Sequence, residues 1–178
     1  MNIWYNELGF YNNPFSTKPA AFDDSSFGYD IIIDKVNEDI IEHKNISIHG
    51  EYGSGKTTFL KGIIRRFGGK RRVIYHNCNK HENLIDFGKL IIGSGNFFQR
   101  LFGIRRKGLI MLLDEAQTIN KKDLEEALNH KEEGYFSSVV FVSSSKEKKE
   151  IKEAADSSYK VGNLSEEDAV RLVRERIG

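Results

Sequence analysis

Between residues 50 and 57 the chain reads Gly-Glu-Tyr-Gly-Ser-Gly-Lys-Thr. Glycines at this spacing, closed by a Lys-Thr pair, suit the binding of a polyphosphate. Without a Cβ they let successive backbone N–H groups turn inward, and a helix opening just after them adds about half a positive charge. Gly50, Glu51, Tyr52, Gly53, Ser54, Gly55, Lys56, Thr57 and Thr58 would form the cradle. Lys56 would reach the β- and γ-phosphates of ATP, and the Thr57 hydroxyl would ligate Mg²⁺. By chance, G-x-x-x-x-G-K-[ST] arises in a chain this long about once in a hundred or less.

A second set begins at Leu109-Ile110-Met111-Leu112-Leu113 and ends in Asp114-Glu115-Ala116-Gln117. The apolar run reads as a buried strand, which delivers Asp114 at its carboxyl end, where open α/β sheets bind ligands. Asp114 would hold Mg²⁺ directly or through water. Glu115, one residue on and turned to the other side, would polarise a water for in-line attack on the γ-phosphate. His76, Cys78 and His81 lie close together, but they lack the paired spacing of a structural zinc site and no fourth ligand is evident. Strand side chains plus a loop histidine account for them.

These groups need elements to position them. Asp30 to His43 places Ile32 or Ile33, Val36, Ile40 and Ile41 on one helical face. Asn45–His49 is a short strand running into the glycine turn, and Lys56–Phe67 repeats Phe59, Leu60, Ile63, Ile64 and Phe67 at helical spacing until Gly68-Gly69. Arg72–Cys78 reads as a strand, and residues 83–102 as helix interrupted at Gly93-Ser94-Gly95. After the Leu109 strand come a helix capped by Asn120 up to about His130, a strand at Ser138–Val142 and a charged helix from about Lys146 to Ala155. Tyr159–Val161 forms a last strand, and Ser165 caps a helix through Ile177. Alternating strands and helices define an α/β class with a mainly parallel sheet.

The chain's 178 residues suit one such domain. Residues 1–29, holding Pro14 and Pro19, read as a lead-in packing on the nucleotide site; 30–162 form the core; 163–178 form a closing helix. No apolar run approaches a membrane span, the start lacks a basic and apolar leader, and Cys78 is the single cysteine. The expectation is a soluble, cytoplasmic protein. The net charge of +1 conceals an uneven layout, because residues 45–112 carry thirteen Lys/Arg against three acidic residues. A polyanion would be met there. Arg65, Arg66, Lys70, Arg71 and Arg72 form one cluster, and Arg100, Arg105, Arg106 and Lys107 another. Phe97, Phe98, Leu101 and Phe102, just before the second cluster's end, read as core rather than as platforms for stacked bases.

Together the loop and the apolar strand ending in Asp-Glu resemble the additional-strand class of P-loop ATPases, in particular the AAA+ superfamily. The chain is similar to ATPases of the general secretion pathway A type and to transposition ATP-binding subunits. It shares with them an opening Gly9-Phe10-Tyr11-Asn12-Asn13-Pro14-Phe15-Ser16, the loop from Gly50 to Thr58, and Asp114 to Gln117. Archaeal origin-recognition ATPases are similar in the core and in the closing Leu164-Ser165-Glu166-Glu167 before a helix with Arg174. The resemblance implies a three-layer P-loop NTPase domain with strand order 5-1-4-3-2. It also implies a polar sensor at the end of the fourth strand, here Ser143 or Ser144. The superfamily adds a helical lid, of which this sequence carries one helix, a lid cut short or reduced. A subunit-bridging arginine finger is implied too, yet no arginine lies between Lys107 and Val170; Arg105, Arg106 or a partner would supply it.

The leading expectation is a Mg²⁺-dependent ATPase, binding ATP and releasing ADP, that switches a protein or DNA partner, as a homo-oligomer or with another protein. The alternative is a nucleotide-gated DNA-binding or loading module with little hydrolysis of its own. Small-molecule kinases share the loop, but they usually lack the adjacent Glu and close over substrate with an arginine-rich lid. Phe15, Tyr29 and Ile31 are the expected walls of the adenine pocket.

Overall fold

In the computed structural model, residues 29–68, 73–80, 84–144, 148–162 and 165–177 are described. Five strands make one sheet: β1 (Ile46–His49), β2 (Val73–Asn77), β3 (Leu109–Asp114), β4 (Phe136–Ser143) and β5 (Ser157–Lys160). Their order is β2-β3-β4-β1-β5 and every pairing is parallel. This is the expected 5-1-4-3-2 order read from the other edge. Helices α1 (Asp30–Ile41), α2 (Lys56–Gly68), α3 (Phe87–Gly93), α4 (Phe97–Leu101), α5 (Lys121–Glu132), α6 (Lys149–Ala154) and α7 (Glu166–Ile177) connect and flank the strands.

The pleat sorts the central strands into two apolar layers. Leu109, Met111 and Leu113 of β3 join Val139 and Phe141 of β4, beneath Phe87 and Ile91 of α3 and Leu124 and Ala127 of α5. Ile110 and Leu112 join Val140, Val142, Ile46 and Ile48 on the other face, under Val36 and Ile40 of α1 and Phe59, Leu60 and Ile63 of α2. A strand buried on both faces has no polar positions to alternate, which is why Leu109–Leu113 is apolar throughout. Phe59, Leu60 and Ile63 are at most 1% exposed, and each contributes about 1.5–3 kcal/mol by leaving water. Phe141 is fully buried between the sheet and its covering helices. Phe141→Ala is therefore expected to cost about 3–5 kcal/mol, read as a lower urea midpoint at unchanged slope.

Helix ends follow their local chemistry. Asn120 Oδ1 accepts from the Asp123 N–H at 2.8 Å and so caps α5. The Asp123 carboxylate Oδ1 accepts from the Ile85 N–H at 3.1 Å, pinning the chain that enters α3. Ser165 Oγ accepts from the Asp168 N–H at 3.1 Å and caps α7.

Three expectations about the core are corrected. Ile41 and Ile64 are 64% and 37% exposed, because each lies on the shoulder of its helix rather than on the stripe facing the sheet. Phe97, Phe98, Leu101 and Phe102 are 65–73% exposed and are not core. The break at Gly93–Gly95 separates α4 from α3, and Phe87 and Ile91 of α3 take the buried positions. A capping box between Asn96 and Gln99 starts α4 locally, so this five-residue helix forms without burying its rings.

Candidate functional site

The phosphate loop connects the carboxyl end of β1 to the start of α2, in the middle of the sheet. Gly53 and Gly55 take φ +84° and +83°. Alternating left-handed glycines with ordinary residues curls the backbone into a concave row of N–H donors, a nest for anions. Gly50 is required for another reason: a Cβ there would sit 2.4 Å from the Val161 carbonyl and 2.6 Å from Ser54 Oγ. The loop thus nests against the chain leaving β5.

Lys56 Nζ donates to the carbonyls of Gly50 and Glu51 at 2.8 and 2.7 Å, spanning its own loop. Those two acceptors hold the ammonium where phosphate oxygens would compete for it. Thr57 and Thr58 are exposed at the helix start, and Tyr52 is fully exposed at the loop tip. Ser54 is 3% exposed, and its Oγ has no hydrogen-bond partner among the described residues. A buried hydroxyl in an N–H-lined cradle fits an anionic ligand that completes its bonding.

Tyr29, at the start of α1, braces this loop. Its hydroxyl lies 2.6 Å from the Ser54 carbonyl and 3.1 Å from the Gly162 carbonyl, and its ring edge is against Gly55. Burial, reinforced by the Asp168 carboxylate, raises its pKa, so the phenol stays a donor. Tyr29, an expected wall for adenine, gives its hydroxyl to the loop backbone. Ile31 is 74% exposed, and Phe15 lies outside the described residues, as does the Gly9–Ser16 segment.

Asp114 ends β3 on the face covered by α2 and is 8% exposed. Both carboxylate oxygens accept a hydrogen bond: Oδ1 from the Glu115 N–H at 2.9 Å, Oδ2 from the Tyr75 hydroxyl at 2.8 Å. Burial and the Asp114 charge raise the pKa of Tyr75, which keeps it a donor at neutral pH. Thr57 and Asp114 offer hard oxygen donors, the kind Mg²⁺ takes beside phosphate.

Glu115 departs from the strand alternation used to read it. Its backbone is left-handed, φ 53° and ψ 38°, a conformation rare for a non-glycine residue and concentrated at functional turns. The Thr118 N–H and hydroxyl hold it by donating to its carbonyl at 3.0 and 2.8 Å. Its carboxylate accepts from the Gln117 amide, whose own carbonyl accepts from the Ser144 N–H at 3.0 Å. Gln117 therefore ties Glu115 to the exit of β4, a contact that the Asp-Glu-Ala-Gln string does not announce.

Ser143 is fully buried, pairs with His49 of β1, and its Oγ has no partner among the described residues. The pleat puts it on the same face as Phe141, opposite to Asp114. Ser144, one residue on, carries the link to Gln117. Arg105 and Arg106 precede β3 and so stand at the opposite end of that strand from Asp114. Six strand residues span about 20 Å, too far for either to act on the phosphate loop of its own chain. Cys78 is buried in the core, and burial pushes its thiol up to about 12; His81 lies outside the described residues.

Fold and loop define a P-loop NTPase domain. A family model described as an AAA domain matches residues 42–162, and the chain belongs to that family. Among solved structures it is similar to Drosophila ORC bound to DNA, with a TM-score of 0.53 and 15% identity over 84% of this chain and 45% of that one. It is also similar to a point variant of RuvB from Thermotoga maritima, with a TM-score of 0.59 and 12% identity over 85% and 50%. The chain thus spans about half the length of each, and at these identities the likeness is one of fold. No curated protein matches the sequence. No helix among the described residues is long and apolar enough to cross a membrane.

Proposed function

We propose that this chain binds ATP with Mg²⁺, hydrolyses it to ADP, and uses the change to switch a protein or DNA partner. The observation that carries this reading is the gathering, at the carboxyl ends of β1 and β3 on either side of β4, of a nest-forming glycine loop, a lysine, and a buried carboxylate followed by a second in a left-handed turn. Loop N–H groups and Lys56 bind the phosphates, and Thr57 with Asp114 would hold Mg²⁺, which when bound neutralises charge on the β- and γ-phosphate oxygens. Glu115, oriented by Gln117, takes the proton of the attacking water. Ser144 rather than Ser143 is the better sensor position, because its backbone meets Gln117. A kinship with secretion- and transposition-type ATPases is consistent with the Asp114–Gln117 string and with Gly50–Thr58. The test is phosphate release from ATP with and without Mg²⁺ and DNA, across protein concentration. Mg²⁺-dependent turnover is the expected outcome; tight ATP binding without turnover would favour the nucleotide-gated binding module instead.

The exposed face of α4 favours a nucleic-acid partner. Phe97, Phe98, Leu101 and Phe102 stand open to solvent beside Arg100, and Arg105 and Lys107 lie near the Tyr135 ring, each 5.7 Å from its centroid. Cations track a phosphate backbone while exposed rings stack bases, at about 1–3 kcal/mol per base. Phe67, Arg106 and Lys107 line one cleft at the amino ends of β3 and β4. Lys70, Arg71 and Arg72 lie outside the described residues. Phe98→Ala with Arg100→Ala should weaken single-stranded DNA binding about tenfold or more while leaving basal ATP turnover unchanged. Fluorescence anisotropy beside phosphate release checks it, and equal DNA affinity would remove α4 from the interface.

A further inference from the structure

Tyr75 belongs to β2, an edge strand, where it pairs with Leu112; Asn77, two residues on, pairs with Asp114. The phenol reaches along the strands to donate to Asp114 Oδ2 at 2.8 Å. An aspartate at a strand end can otherwise sample three χ1 wells and a broad χ2. Here a backbone N–H holds one oxygen and a phenol from the neighbouring strand holds the other. Each oxygen keeps a second lone pair for a cation or for a cation-bound water. Packing does not explain the residue: Tyr75 is 44% exposed, and Phe or Ile would serve a strand position equally well.

We propose that Tyr75 is a positioning residue for the Mg²⁺ site, its hydroxyl setting the orientation in which Asp114 receives the ion or its water. This role rests on the ATP–Mg²⁺ reading of the same site. It predicts that the hydroxyl affects the metal and not the nucleotide. Tyr75→Phe keeps the ring, so its unfolding midpoint should stay within a few degrees of the wild type.

The experiment is a Mg²⁺ titration of fluorescent ADP binding by the wild type and Tyr75→Phe, with a parallel binding curve in excess EDTA. The half-saturating Mg²⁺ concentration should rise about tenfold in Tyr75→Phe, as for a lost hydrogen bond to a charged group. Affinity in EDTA should stay within twofold. In an Asp114→Asn background, Tyr75→Phe should raise the Mg²⁺ requirement no further, because the two residues act as one unit. Mg²⁺ dependence in the wild type that Tyr75→Phe leaves unchanged, or strengthens, overturns the positioning role and leaves the site reading standing. No Mg²⁺ dependence in the wild type overturns the site reading, and the role with it.

Discussion

Lys56→Ala is expected to lose nucleotide affinity by about 100-fold or more, with little change in the stability of the fold. The ammonium makes two short bonds to the Gly50 and Glu51 carbonyls, so it is already desolvated on one side and anchored over the cradle. On phosphate binding those neutral acceptors give way to anionic ones, and hydrogen bonds to charged groups are worth about 1.5–3 kcal/mol each. Two such bonds lie in the range of 100-fold and above. The fold depends instead on the layer beneath: Phe59, Leu60 and Ile63 of α2 are buried whether or not Lys56 is present. Titration calorimetry with ADP and ATP, beside urea unfolding, separates the two effects. Unchanged affinity with normal folding would mean that the loop is not the nucleotide site.

Glu115→Gln is expected to lower ATP turnover about 10²- to 10⁴-fold, the usual worth of a positioned general base, while ATP affinity changes by no more than a few-fold. The bonds that shape this turn use the Glu115 backbone: its N–H donates to Asp114 and its carbonyl accepts from Thr118. A glutamine leaves them in place, so the left-handed turn survives and only the basic oxygen is lost. Gln117 can still pair with the amide that replaces the carboxylate. Single-turnover phosphate release at saturating ATP isolates the chemical step. Retained turnover would move the base elsewhere; loss of binding as well would mean that the carboxylate shapes the loop rather than activates water.

Residues that act through local geometry were readable in order along the chain. The phosphate loop needs glycines at fixed intervals because only they tolerate φ near +84° at Gly53 and +83° at Gly55, and this leaves a mark at each position. Leu109–Leu113 announces a strand buried on both faces for a similar reason, since no position along it may be polar. Asn120 and Ser165 cap their helices through residues three ahead, a distance that sequence spacing records.

Other features depended on what lies across the sheet. Tyr75 reads as an ordinary strand tyrosine until β2 is set beside β3 and its hydroxyl meets Asp114. Gln117 reads only as the last residue of the Asp114–Gln117 string until β4 brings the Ser144 N–H to it. The rings of α4 have the composition of core and are nonetheless exposed, because Phe87 and Ile91 fill the space that helical periodicity alone would give them. By itself, then, the sequence determined the class of fold, the strand that carries Asp114, and the loop that suits a polyphosphate, all properties of contiguous backbone and local pattern. Only the tertiary structure decided which partner holds each carboxylate, which serine stands near Gln117, and which aromatic face remains in water. Those depend on strand register and on competition for the same buried volume between segments distant in the chain.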